Sequence, residues 1–261
     1  MTSLPLHPSA APAPDGRGCS VVVDNLTAGY GAAHPVLRDV SLRVPCGECW
    51  AVVGPSGGGK TTLLRSLLGL VRPTCGSVCV TTGDTLAAAG RGSIGYIPQQ
   101  LGLVRSMTAR QNALLGSLGR LPRWRSALGL FPSIEIERAD EALDAVGLGG
   151  RGGERVTAMS GGERRRVAIA RALVQRPRLL LADEILAEVD RVTARGILAL
   201  LERIRAETGM TIVCVEHDLD AACQLAQRVV VMAGGRKVRE ATPDELRGRD
   251  ASDIFRAVAL A

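Results

Sequence analysis

The stretch Gly54-Pro55-Ser56-Gly57-Gly58-Gly59-Lys60-Thr61-Thr62 constrains this chain more than any other. The apolar run Cys49-Trp50-Ala51-Val52-Val53 precedes it, and Leu63-Leu64-Arg65-Ser66-Leu67-Leu68 follows. The first run reads as a buried strand. The second, with Thr62, reads as a helix. Strand, glycine loop and helix in that order are the setting of the pattern G-x-x-x-x-G-K-T, a phosphate-binding loop. Its glycines let successive backbone N–H groups face inward as an anion nest. The helix adds its positive N-terminal end, and the Thr61 hydroxyl is suited to Mg²⁺. Lys60 is one of two lysines in a chain whose other basic residues are arginines. A compact ammonium fits a tight phosphate loop where a bulkier planar guanidinium does not.

Around this loop the chain alternates. Strand signals occupy residues 21–26, 36–44, 77–81 and 93–97. From 101 to about 158 they vanish, and helical patterns take over at 108–118 and 134–146. In the second of these Ile136, Ala139, Leu143 and Val146 recur at helical spacing. After Ser160 the alternation returns, with helices over 161–174, 192–207 and 219–226 and strands over 179–182, 211–215 and 229–232. The implied fold is α/β: a phosphate-loop nucleoside-triphosphatase core with a mainly parallel sheet covered on both faces, an antiparallel β subdomain, and an inserted helical subdomain over about 101–158. Residues 1–18, rich in Pro and Ala, read as a disordered tail, 19–242 as one nucleotide-binding domain, and 243–261 as a short C-terminal helical segment.

Aromatic residues make up only 2% of the chain, so its core must be built from Leu, Val, Ile and Ala. The net charge of +6 suits anionic partners such as nucleotides, a lipid surface or nucleic acid, and does not choose among them. No apolar stretch approaches membrane-spanning length and no signal sequence is evident, so the chain is expected to be soluble and intracellular unless a partner holds it at a membrane. The odd count of seven cysteines argues for free thiols. The spacing of Cys46, Cys49, Cys75 and Cys79 faintly resembles a zinc site. The better account puts Cys49 and Cys79 in strands and Cys75 in a turn beside Gly76.

The strand Leu179-Leu180-Leu181-Ala182 ends in Asp183 and Glu184. Ligands in open α/β sheets bind at the carboxyl ends of strands, which places these acids beside the phosphate loop. There Asp183 can hold Mg²⁺, and Glu184 can orient and deprotonate an attacking water. Upstream, Ser160-Gly161-Gly162-Glu163 has the S-x-x-E form of a capping box. A plain cap needs no paired glycine, because glycine costs roughly 1 kcal/mol relative to alanine in a helix. The pair makes sense where a phosphate must approach the helix N-terminus closely.

Met159 to Glu163 resembles the Leu-Ser-Gly-Gly-Gln signature of ATP-binding cassette proteins, and the neighbouring motifs follow that family's order over residues 21–240. The resemblance implies that Tyr30 stacks on adenine and that Gln99 links the metal site to the helical subdomain. It implies that Asp183 binds metal, Glu184 is the catalytic base and His217 contacts the γ-phosphate, with Thr61 and Gln99 completing the metal site. ATP and Mg²⁺ are then the cofactors. Each ATP lies between the loop of one subunit, Gly54 to Thr62, and the signature of the other, Ser160 to Glu163. The chain carries one of each, which implies a homodimer. Asp190 matches the end of the loop that crosses the dimer interface.

Three positions depart from the family pattern. Glu163 stands where glutamine is usual, with Arg164-Arg165-Arg166 following as an offset to its charge or as a solvated helix face. Ile185 replaces a proline, which predicts a less rigid loop, and Glu188 puts an acid into the interface loop. Residues 99–105, 112–116 and 118–132 are similar to those of phosphonate-type importer ATPases. That likeness implies membrane-spanning permease subunits, an extracytoplasmic solute-binding protein as an indirect partner, a peripheral place on the cytoplasmic face of the membrane, and no nucleic acid. Manganese- or zinc-type importers and soluble cassette ATPases are the other readings, and a phosphate-loop kinase would not need the signature.

Overall fold

The computed structural model describes residues 18–31, 34–82, 85–88, 93–122, 129–187 and 189–247. Most of the Pro- and Ala-rich tail, most of the C-terminal segment and Glu188 lie outside them. In chain order, β1 (Ser20–Ala28) and β2 (Leu37–Val44) lead to β3 (Cys49–Val53) and α1 (Lys60–Leu67). Then come β4 (Pro73–Thr82), β5 (Thr85–Ala88) and β6 (Ile94–Ile97), followed by the helices α2 (Ala109–Leu114), α3 (Ser133–Ala145) and α4 (Gly161–Val174). The last third alternates through β7 (Leu179–Asp183), α5 (Arg191–Thr208), β8 (Thr211–Glu216), α6 (Leu219–Leu225) and β9 (Arg228–Ala233), ending in β10 (Arg236–Ala241) and α7 (Pro243–Leu246).

Two sheets result. The larger has the order β10-β9-β3-β8-β7-β6, parallel except for β10. The smaller, β2-β1-β4-β5, is antiparallel. Strands β3, β7 and β8 are buried on both faces, which is why they read as unbroken apolar runs. Their alternate residues feed separate cores. Trp50, Val52, Leu179, Leu181, Val213 and Val215 pack with α1 and the antiparallel sheet. Cys49, Ala51, Val53, Leu180, Ala182 and Cys214 pack with α4, α5 and α6.

The structure corrects several details of the sequence reading. The helix predicted over 108–118 ends at Leu114 and tightens into a 3₁₀ turn, Leu115–Ser117. There a Cβ on Gly116 would sit 2.1 Å from the Arg171 carbonyl, so the turn lies directly on α4. On α3, Ile136 faces outward, and Glu135 is buried instead, paired with Arg120 and Arg138. Cys75 and Gly76 lie within β4, at a bulge opposite Asn25, and not in a turn. Strand β10 carries no strand signal in the sequence, because four of its six residues are charged and it lies at the sheet edge. The Gly234-Gly235 turn before it, with φ of 55° and 77°, is the signal that predicts it.

Candidate active site

Parallel strands β3, β7 and β8 end side by side, so the residues that follow them meet at one edge. After β3 comes the glycine loop. Gly54, at φ 154°, runs so close to β9 that a Cβ would lie 2.0 Å from the Met232 carbonyl. Gly59, at φ 94°, caps α1 in a conformation that other residues rarely adopt. Lys60 opens the helix, and its Nζ donates to the carbonyls of Gly54 and Pro55 at 2.7 and 3.0 Å. Burial lowers its pKa, opposed by the carboxylates of Glu184 and Asp183. Residues 56–62 line a cavity of about 320 Å³ together with Val36, Gln99, Glu184 and His217.

After β7, the Asp183 carboxylate receives the Thr61 hydroxyl at 3.3 Å and that of Tyr96 at 3.5 Å. Burial raises its pKa. A desolvated acid of this kind is best satisfied by a cation, and hydroxyl, carboxylate and amide oxygens are hard donors of the type Mg²⁺ takes. Glu184 sits at φ 52°, a strained backbone for a residue with a Cβ. Each of its carboxylate oxygens is held. Gln99 Nε2 donates to one at 2.6 Å, and His217 Nε2 lies 2.5 Å from the other. Gln99, Glu184 and His217 come from three separate segments, so only the sheet order brings them together. Behind them Glu216, at the end of β8, is 3% exposed, and burial pushes its carboxyl up to about 8.

Tyr30 is 63% exposed and stands against α1, where Arg65 donates to its hydroxyl at 2.8 Å. One ring face is thereby backed by the guanidinium, 5.9 Å from its centroid.

Ser160 and Glu163 form the reciprocal capping box at the start of α4. The structure separates the two glycines. A Cβ on Gly161 would meet little, only the end of Arg165 at 3.5 Å, so the helix end there is open to a ligand. A Cβ on Gly162 would lie 2.6 Å from Thr193 Cγ2, so that glycine serves the contact between α4 and α5. The offset to the charge of Glu163 is Arg151, and not the arginine run predicted from sequence. The hydrogen bond from Arg151 holds the Glu163 carboxyl down to about 2. The run itself is half-buried, not a solvated face. Arg164 donates to Met159 O, Arg165 to Ile185 O and Ala187 O, and Arg166 to Val146 O. None of the residues 160–163 lines the cavity at the glycine loop.

Tyr96, Arg151, Arg165, Arg171 and Glu216 pack around these residues without any local sequence signal. Arg171, on α4, donates to the carbonyls of Leu101 and Gly102 and so ties the segment after Gln99 to the signature helix.

Known proteins are similar to this chain in sequence and in fold. The ABC transporter family model matches residues 37–187. The chain is similar to "Phosphonates import ATP-binding protein PhnC 2" of Synechococcus sp. (strain JA-2-3B'a(2-13)), 38% identical over 89% of each chain. It is similar to the protein of the same name in Pseudomonas savastanoi pv. phaseolicola, 40% identical over 85% of this chain and 84% of that one. Among solved structures it resembles cbiO1 from Clostridium perfringens, described as part of the ABC transporter complex cbiONQ, with a TM-score of 0.76, 27% identity, and 92% and 94% of the two chains covered. It also resembles a dimeric ATP-binding cassette in a post-hydrolysis state with ADP and Pi, with a TM-score of 0.71, 32% identity, and 88% and 100% covered. The chain therefore belongs to the ABC transporter family and is an ATP-hydrolysing cassette.

Proposed function

We propose that this ATPase powers import of a phosphonate-class solute through membrane-spanning partner subunits, working as a homodimer peripheral to the cytoplasmic face of the membrane. The observation that carries the catalytic part is Glu184, fixed between Gln99 and His217 beside the glycine loop. The import part rests on the similarity to phosphonate import ATP-binding proteins over most of the chain.

In this reading the N–H groups of residues 54–62 and the Lys60 ammonium neutralise the β- and γ-phosphates. Thr61, Asp183 and Gln99 would hold Mg²⁺, which when bound would offset phosphate charge. Tyr30 stacks on the adenine. Glu184 takes a proton from a water molecule as the water oxygen bonds to the γ-phosphorus, and the bond from that phosphorus to the β-phosphate oxygen breaks, leaving ADP and phosphate. His217 keeps the Glu184 carboxylate aimed and reaches the γ-phosphate. Catalysis of this kind is positioning and charge stabilisation. Because residues 160–163 lie off the cavity, the second half of the site comes from another subunit, with Gly161 leaving room for the phosphate.

Glu184→Gln should lower ATP turnover by about 100-fold or more while nucleotide binding persists. The transport reading is tested by pulling the tagged chain from detergent-solubilised membranes and identifying what accompanies it. A multi-span permease whose hydrolysis responds to a phosphonate-loaded binding protein supports it. A response to manganese or zinc instead supports the metal-ion importers, and soluble partners alone overturn import.

A further inference from the structure

The loop that follows Glu184 is held from two sides by residues outside the established motifs. On one side is Arg165, on the second turn of α4. Its Nε donates to the Ile185 carbonyl at 2.7 Å and its Nη2 to the Ala187 carbonyl. The same guanidinium reaches Gly161 O at 3.3 Å, in the first turn of that helix. On the other side is the buried Glu216 carboxyl, which faces the backbone N–H of Leu186 closely enough for that N–H to oppose the rise in its pKa. Its Oε1 has no hydrogen-bond partner among the described residues. The Ile185 and Ala187 carbonyls and the Leu186 N–H between them thus face a guanidinium and a carboxyl from different elements.

The Ile185 and Leu186 side chains are buried in the core, which leaves the backbone groups of the loop to be fixed. Within the loop Ala187 N donates to Glu184 O at 3.1 Å, and Ile185 leaves φ free where a proline ring would set it. Glu184 itself is strained, and a strained residue persists only when its surroundings over-determine it. Fork geometry is what lets one side chain bind two carbonyls, and an ammonium cannot reproduce it.

We propose that Arg165 and Glu216 are positioning residues: together they clamp residues 185–187, and so hold the Glu184 carboxylate in register with the N-terminus of the signature helix. Movement of α4 then pulls directly on the loop that carries the base. The inference rests on the hydrolytic role of Glu184 proposed above.

The test is steady-state ATP hydrolysis by the full chain, with nucleotide binding and melting temperature measured alongside. Arg165→Ala and Glu216→Leu should each lower kcat about 10- to 100-fold with KM for ATP within about twofold, as expected for a misplaced group. Glu216→Gln, which keeps an oxygen for Leu186, should stay within about threefold of the parent, and Arg165→Lys should fall between Arg165→Ala and the parent. Because both residues act on one loop, the double variant Arg165→Ala/Glu216→Leu should lose no more than the worse single variant. Parent-like kcat in Arg165→Ala, multiplicative losses in the double variant, or losses that merely track melting temperature would each overturn the clamp. If the parent hydrolyses ATP and Glu184→Gln does so equally well, the reading of Glu184 fails instead.

Discussion

At the scale of single residues, the chain alters a family motif and compensates nearby. Glu163 brings a negative charge to the helix end where the proposed dimer puts a phosphate. Arg151, twelve residues upstream, pairs with it and with Glu154, so the signature turn carries its own counter-ion. The pairing leaves Glu163 ionised throughout the neutral range. Removing the arginine should expose the acid to the nucleotide. In a Glu184→Gln background, Arg151→Ala should weaken ATP-dependent dimerisation about three- to tenfold, and adding Glu163→Gln should restore it. Sedimentation at several ATP concentrations reads the change, and insensitivity of dimerisation to Arg151 would remove the compensation.

At the scale of elements, the signature helix α4 organises the site. It receives the segment after Gln99 through Arg171, the interface loop through Arg165 and the end of α3 through Arg166. It lies on α5 at a contact that leaves no room for a side chain at Gly162. Gly162→Ala should destabilise the fold by about 1–3 kcal/mol through overpacking against Thr193. Thr193→Ser removes the offending methyl and keeps the hydroxyl that binds Asp190 at 2.6 Å. Denaturant melts of the single and double variants should show most of the loss recovered. If the double variant is no more stable than Gly162→Ala, the cost lies elsewhere.

At the scale of the whole molecule, the described surface carries an element suited to a second copy. Val192, on the first turn of α5 beside the capping residue Asp190, is 81% exposed. Lone exposed valines are ordinary, but this one sits next to the loop that follows Glu184. Val192→Asp should weaken ATP-dependent dimerisation by about tenfold and leave nucleotide binding to the separate subunits within about twofold. Light scattering with and without ATP distinguishes the two effects.

The glycine loop, the acid pair and the signature turn were legible in the sequence because each works through local backbone: a tight turn, a strand end, a helix cap. The parallel sheet was legible because strands buried on both faces must be apolar throughout. What the sequence did not reveal was contact between distant segments. Gln99, Glu184 and His217 close around one carboxylate because β6, β7 and β8 are neighbours, and no local pattern encodes strand order. The arginines after the signature illustrate the same limit. Along the chain they look like a charged helix face, yet Arg164, Arg165 and Arg166 satisfy carbonyls up to 22 residues away. Local sequence determined which groups can bind phosphate and move a proton. Tertiary structure decided which of them meet, because a side-chain hydrogen bond depends on positions set by the packing of the whole chain.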